Sequence, residues 1–535
     1  MRLGEFLVAR NIITEEELFD GLKRQREQGG KLGEHLLAAG ALTQSQLDDA
    51  LSYFPQPPGA IGDTGLNPNL LLGHVLKLIH SLGLETTREL EDATALPGKV
   101  CADLTEAMRE RELIQMKGSA SLTGGDSAEI RYGLTGKGRD WALEALDSNQ
   151  YVGPAPVPFD DWIAQIKRQS IMIDPINPAS LTESLSDLVL QDGFIDELGP
   201  AVNSGRSILI YGPPGNGKTT IAEGVARAFK TVVFIPHAVE IEGQIIKVYD
   251  PTLHRRVDEE EQASGRSLVK RRSESLDTRW VPCFRPVVVA GGELSLDMLD
   301  FIYNDTAKFY EAPLHVKAIN GVFLIDDFGR QQVEPTDLLN RWIIPLEKRV
   351  DYLTLATGQT LQVPFDELLI FSTNLVPDDL MDDAFLRRIP YKVEIGNPSR
   401  RMYEKIFGII AKVKGVELPD DLIPFIYDVY YDKNGKPPAN YQPGFIIDRV
   451  IDICRYHGVE PELRRDFVLY ALRNLTSNAD DATRLAGLSE EYRQRSGSAG
   501  NGAAATPSAL NGEPPVGEGL GNGAAGDSLR PGQVA

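Results

Sequence analysis

The chain has 535 residues, with 55 Lys+Arg against 77 Asp+Glu and a formal net charge of −22. That length allows three or four domains at ~100–200 residues each. The acidic balance argues against bulk electrostatic binding to nucleic acid, which needs basic surface to release counterions, and leaves room only for a local basic patch.

No apolar run reaches the ~18 residues of a membrane helix. The N-terminus has neither the apolar core nor the cleavage site of a secretory signal. Cys101, Cys283 and Cys454 are too widely separated for zinc or redox spacing. A cytoplasmic protein without membrane insertion is expected.

In chain order, an internal repeat comes first. Arg2-Leu3-Gly4 recurs as Lys31-Leu32-Gly33, an offset of 29 residues that also matches Leu18 with Leu47 and Leu22 with Leu51. Each copy reads as a short helix, a turn, then a helix capped by Thr14 or Thr43, and Glu17 completes a capping box. Residues 1–54 are thus a two-repeat helical module, and the Pro/Gly-rich stretch 55–68 is a linker. Over 69–150 the spacing predicts helices at 70–82, 87–93 and 99–112, a hairpin of 113–117 with 129–134, and a helix at 137–146. A second proline-rich linker spans 153–159. From there apolar strand runs alternate with helical stretches, which argues for a parallel α/β sheet. Beyond Ser477 the composition turns to Gly, Ala, Ser, Asn and Pro, and 477–535 is expected to be disordered.

The chemistry-bearing motif follows a short apolar strand. SILIY (207–211) runs directly into GPPGNGKT (212–219) and then the helix-forming TIAEGVARAF. This strand–loop–helix context marks a phosphate-binding loop. Gly212, Gly215 and Gly217, among Pro213, Pro214 and Asn216, let the backbone curl so that its N–H groups face phosphate, aided by the helix N-terminus that carries Thr220. Lys218 supplies a point charge for the β- and γ-phosphates, and the Thr219 hydroxyl is a Mg²⁺ ligand. ATP and Mg²⁺ are the expected cofactors.

Downstream, GVFLID (321–326) is a buried strand ending in carboxylates. Asp326 is placed to hold Mg²⁺ and Asp327 to polarise the attacking water. LLIFS (368–372) is another apolar strand, with Asn374 at its end to align that water. Arg387 and Arg388 follow in DAFLRR. Either guanidinium, inserted from a neighbouring subunit, can stabilise transition-state charge, and Arg388 is favoured.

These motifs resemble those of AAA+ ATPases over about 198–475. The resemblance implies an α/β P-loop AAA+ core (159–400) with a parallel sheet, a helical lid (401–476), and a homo-oligomeric ring acting on an unidentified protein substrate. There are two departures. Asp327 stands where most of the family carries Glu. Gly444 stands where a lid arginine is expected, with Arg449 one helical turn on as its substitute. The 108 positions between Lys218 and Asp326 exceed a minimal core, and the charged run RRVDEEEQASGRSLVKRRSES within 245–285 reads as an exposed, strand-poor loop. Residues 352–371 have hairpin character, as in remodelling groups such as the MoxR-like one.

The 1–54 repeat resembles the N-terminal module of type II secretion and pilus-assembly ATPases, which binds cyclic di-GMP. That resemblance implies Arg2, Gly4, Lys31 and Gly33 as ligand residues, and the residues leave open ligand binding or pure docking. The 69–150 segment resembles a winged-helix domain. Its presumptive recognition helix carries Lys99, Arg109 and Arg111 against Asp103, Glu106, Glu110 and Glu112, net −1. DNA is therefore not the favoured partner of that helix. The rival reading of the whole chain is a nucleotide-responsive DNA-binding regulator with little hydrolysis.

Overall fold

The computed structural model describes residues 3–120, 129–257, 276–380 and 383–499. It opens on four short helices, α1 (Leu3–Ala9), α2 (Glu15–Gln28), α3 (Leu32–Ala38) and α4 (Gln44–Ser52). The 29-residue offset relates α1 to α3 and α2 to α4. Thr14 and Thr43 each close a capping box, with Glu17 and Gln46 respectively. The repeated glycines are where helices cross. A Cβ on Gly4 would stand 2.3 Å from Leu18 Cδ1, and one on Gly33 would stand 2.8 Å from Leu47 Cδ1. Packing therefore accounts for both glycines.

Residues 55–68, expected as a linker, are held in place. Thr64 and Leu66 are buried, Pro55 O accepts from Asp277 N at 2.9 Å, and Thr64 O accepts from Arg279 Nη1 at 3.0 Å. Next come α5 (Pro68–Leu82), α6 (Thr87–Thr94), α7 (Gly98–Glu110), the antiparallel strands β1 (Ile114–Ala120) and β2 (Glu129–Leu134), and α8 (Gly136–Ser148). Leu71, Leu76, Val100, Leu104 and Met108 form their core.

The larger part follows. It comprises β3 (Val157–Pro158), α9 (Phe159–Arg168), α10 (Pro178–Ser184), α11 (Phe194–Asn203), β4 (Ile208–Tyr211) and α12 (Lys218–Ala228). After these come β5 (Val232–Pro236), β6 (Ala238–Ile241), β7 (Gln244–Lys247), β8 (Trp280–Phe284), β9 (Val287–Ala290), β10 (Ile302–Asn304), β11 (Phe309–Glu311) and β12 (Val322–Ile325). The strands end with β13 (Val350–Thr354), β14 (Thr360–Pro364), β15 (Leu368–Thr373) and β16 (Tyr391–Glu394). A parallel sheet of order β16-β4-β15-β12-β9 forms the centre. Its central strands are buried throughout, as a sheet covered on both faces requires. The hairpin expected before β15 is β13 with β14.

The long spacing between Lys218 and Asp326 is not a mere charged loop. It holds β5 paired with β8 and most of a second sheet, β10-β11-β7-β6-β3. Strands of three to five residues leave too little alternation to be read from sequence. The charged run itself lies mostly at 258–275, outside the described residues. Phe234, Trp280 and Val281 of this insertion share one core with Phe6, Leu7, Leu36 and Tyr53. Tyr53 Oη donates to Val232 O at 2.6 Å, and Gln165 Nε2 donates to Tyr53 O at 2.8 Å. The N-terminal module is thus packed against the inserted strands.

The chain ends in α13 (Arg400–Lys414), α14 (Leu422–Ile426), α15 (Gln442–His457), α16 (Arg465–Arg473) and α17 (Ala479–Ala499). Two compact units divide between Ile447 and Asp448. In the second, α17 packs on α16, Leu485 is buried, and Ser489 Oγ donates to Asp466 O at 2.9 Å. The expected disorder from 477 therefore does not hold up to residue 499, because Leu485 supplies an apolar anchor that the average composition hides. Residues 500–535 lie outside the described residues. Among the described residues no helix is long and apolar enough to cross a membrane.

Candidate nucleotide site

Parallel register places the site at one sheet edge. Tyr211, the last residue of β4, pairs with Thr373 at the end of β15, and Ile325 of β12 pairs with Phe371. Three chain segments therefore leave the sheet side by side: 212–217, 326–327 and 374. Open parallel sheets bind ligands beyond these carboxyl ends.

The loop 212–217 turns through glycines. Gly212, Gly215 and Gly217 have φ of 139°, 77° and 86°, values that glycine adopts at no steric cost. A Cβ on Gly212 would lie 2.2 Å from Ile395 O, so that position has no room for a side chain. Lys218 begins α12 and is buried. Its Nζ donates to Gly212 O at 2.9 Å, Pro213 O at 3.0 Å and Asn374 Oδ1 at 2.6 Å. Burial lowers its pKa, opposed by the charges of Asp327 and Asp326.

Asn374 joins both sides of the site, because its Nδ2 donates to Asp327 Oδ1 at 2.8 Å. Thr219 Oγ1 donates to Asp326 Oδ2 at 2.9 Å. A hydroxyl and a carboxylate in contact are the hard oxygen donors that Mg²⁺ accepts alongside phosphate oxygens, so Thr219 and Asp326 fit the ion. Asp327 is exposed and adopts φ 50°, an uncommon conformation for a residue other than glycine.

Residues 208–269 match the family model described as "ATPase family associated with various cellular activities (AAA)". The chain carries an AAA ATPase domain. Residues 399–474 match a model described as "Domain of unknown function (DUF8689)". Comparison with curated proteins gave no match.

Similar solved structures include NtrX from Brucella abortus in complex with ATP, at 13% identity and TM-score 0.32, covering 60% of this chain and 62% of that one. A second NtrX structure matches at 14% and 0.35, covering 66% and 72%. A Thermotoga maritima RuvB variant matches at 15% and 0.29, covering 58% and 74%. The chain thus spans less than two thirds of the ATP-complexed NtrX. Scores this low lend nothing to the site itself.

The other expected site residues lie elsewhere. Arg388 Nε donates to Glu347 Oε1 at 2.8 Å, and its guanidinium sits 5.5 Å from the Phe385 ring centre. Arg387 is exposed near Pro390 and Lys392. Arg449 belongs to the second unit, where its Nη1 lies 3.4 Å from Asp452 Oδ2. Gly444 lies in α15, where a Cβ would meet Ile410 Cδ1 at an ordinary 3.6 Å. Lys31 is exposed, its backbone N donating to Glu34 Oε2 at 3.4 Å. Arg2 lies outside the described residues.

The structure adds residues that the motifs missed. Asn397, Asn440 and Tyr441 all touch the phosphate loop. No spacing rule links 216 with 397 or 440, so nothing in the sequence marks them.

Proposed function

We propose that the chain binds ATP with Mg²⁺ at 212–219, hydrolyses it, and couples hydrolysis to remodelling of a partner protein. The observation that carries the binding and hydrolysis of ATP is the linkage of Lys218 to Asp327 through Asn374 at the carboxyl edge of the sheet; the partner protein rests on the resemblance of the motifs alone. Lys218 exchanges its Gly212 and Pro213 carbonyl partners for the β- and γ-phosphates. Thr219 and Asp326 hold Mg²⁺, which when bound neutralises charge on the phosphate oxygens. Asp327 orients a water toward the γ-phosphorus, and Asn374 fixes the Asp327 carboxylate. A new P–O bond forms to that water as its proton passes to Asp327 and on to the released phosphate, the bond to the bridging oxygen breaks, and ADP leaves with phosphate.

Arg388, or Arg387 beside it, acts on the site of a neighbouring subunit in a homo-oligomer. For Arg388 this requires release from Glu347. Phosphate release by wild type and Lys218→Ala tests the reading, and equal rates would sink it.

For residues 1–54 we propose docking onto the inserted strands. The shared core of Phe6 and Tyr53 with Phe234 supports it, and Gly4 and Gly33 serve helix crossing without a ligand. Binding heat on titration with cyclic di-GMP, lost in Arg2→Ala, would reverse that assignment. The second reading, a DNA-binding regulator, draws on the three helices and hairpin of 68–134. On that hairpin Lys117 and Arg131 both pair with Glu85, which offsets one of their two charges. Salt-sensitive anisotropy on duplex DNA would establish this second reading.

A further inference from the structure

We propose that Asn216, Asn440 and Tyr441 form a clamp that holds the phosphate loop in its anion-binding shape, so that 440–441 positions the loop for nucleotide. This rests on the reading of 212–219 as an ATP site.

The contacts are reciprocal. Asn440 N donates to Asn216 Oδ1 at 3.0 Å, and Asn440 Nδ2 donates back to Asn216 O at 3.1 Å. Tyr441 N donates to Gly215 O at 3.1 Å. The Asn216 side chain is almost fully buried, and its Nδ2 donates to Asn397 Oδ1 at 3.2 Å. The Tyr441 ring lies against the loop, since a Cβ on Gly215 would stand 2.4 Å from Tyr441 Cδ1.

Two physical consequences follow. In a trans peptide the C=O and the next N–H point in opposite directions. Anchoring the carbonyls of Gly215 and Asn216 on 440–441 therefore fixes the N–H groups of Asn216 and Gly217 on the opposite side. The second consequence is entropic. Three glycines within six residues make this loop costly to order, and a clamp made in the folded state bears that cost before ligand arrives. Asn440 and Tyr441 also immediately precede α15, so the first turn of that helix, where Gly444 supplies no arginine, follows directly on the loop contacts.

The test compares wild type, Asn440→Ala, Tyr441→Ala, Asn216→Ala and the Asn216→Ala/Asn440→Ala double variant, each checked for folding by circular dichroism. Binding of a fluorescent ATP analogue, KM and kcat for phosphate release, and hydrogen exchange over 212–217 are measured. The expected result is a rise in Kd and KM of about tenfold, the loss of roughly one hydrogen bond for Asn440→Ala, with Tyr441→Ala losing the ring contact on Gly215 while its backbone bond remains. Alongside it, kcat of Asn440→Ala and Tyr441→Ala should stay within about twofold, amide exchange should quicken, and the double variant, which alone loses both side-chain bonds, should bind more weakly than either single. Unchanged Kd in folded variants beside a binding wild type would overturn the clamp alone. A wild type that binds no ATP would overturn the nucleotide reading and the clamp with it.

Discussion

The side-chain amide of Asn374 donates a 2.8 Å hydrogen bond to Asp327, a residue 47 positions earlier at the end of a neighbouring strand. The same amide accepts from Lys218 at 2.6 Å, so one residue bridges Lys218 and Asp327.

Removing that bridge separates binding from chemistry. Asn374→Ala should lower kcat for phosphate release by about 10²-fold while the ATP Kd shifts less than about threefold. Single-turnover phosphate release beside analogue titration measures both, and an undiminished rate would show that Asn374 plays no part in the reaction.

Asp327, the residue proposed to orient water, has left-handed backbone at φ 50°. Asparagine tolerates that conformation, whereas a β-branched residue does not. Asp327→Asn should keep stability within about 0.5 kcal/mol and lose about 10²-fold in turnover, whereas Asp327→Val should also cost ~1–3 kcal/mol. Denaturant unfolding of the two variants decides this, and equal stabilities would contradict the strain argument.

The repeated glycines of the N-terminal module predict an overpacking effect. Gly33→Ala forces a methyl against Leu47, and Gly4→Ala forces one against Leu18; the leucine ends yield in part and alanine favours a helix by about 0.5–1 kcal/mol, so a net loss of about 1 kcal/mol is expected. Adding Leu47→Ala to Gly33→Ala should relieve part of that loss, a coupling that a double-mutant cycle on thermal unfolding reads directly. Additive losses would mean that the two positions do not meet.

His74 makes stability fall in acid. It is buried, its Nε2 lies 2.9 Å from Gly153 O, and burial, aided by the nearby Lys77 charge, holds its pKa down to about 3. The unfolded chain takes up a proton near pH 6.5 and the folded chain does not. The contribution is therefore complete above pH 6.5 and declines by about 1.4 kcal/mol per pH unit as pH drops toward 3. Urea unfolding of wild type and His74→Phe between pH 7 and 4 isolates the slope, and parallel curves would refute it.

The sequence alone determined the phosphate loop, both carboxylates, Asn374, the parallel sheet and the 29-residue repeat. Each is a local pattern: a glycine spacing, an apolar strand ending in a polar residue, or a helical period with a Thr cap. Local patterns report backbone geometry and burial, and both are decided within a few residues. Only the tertiary structure decided that Gly4 and Gly33 are helix crossings and that residues 55–68 are packed. It also brought Asn440 onto Asn216 across 224 positions and set Arg388 on Glu347. The inserted strands escaped notice because runs of three to five residues carry almost no periodic signal. The loop clamp escaped because a hydrogen bond between distant asparagines depends on where two chain segments end in space, which composition and spacing do not encode.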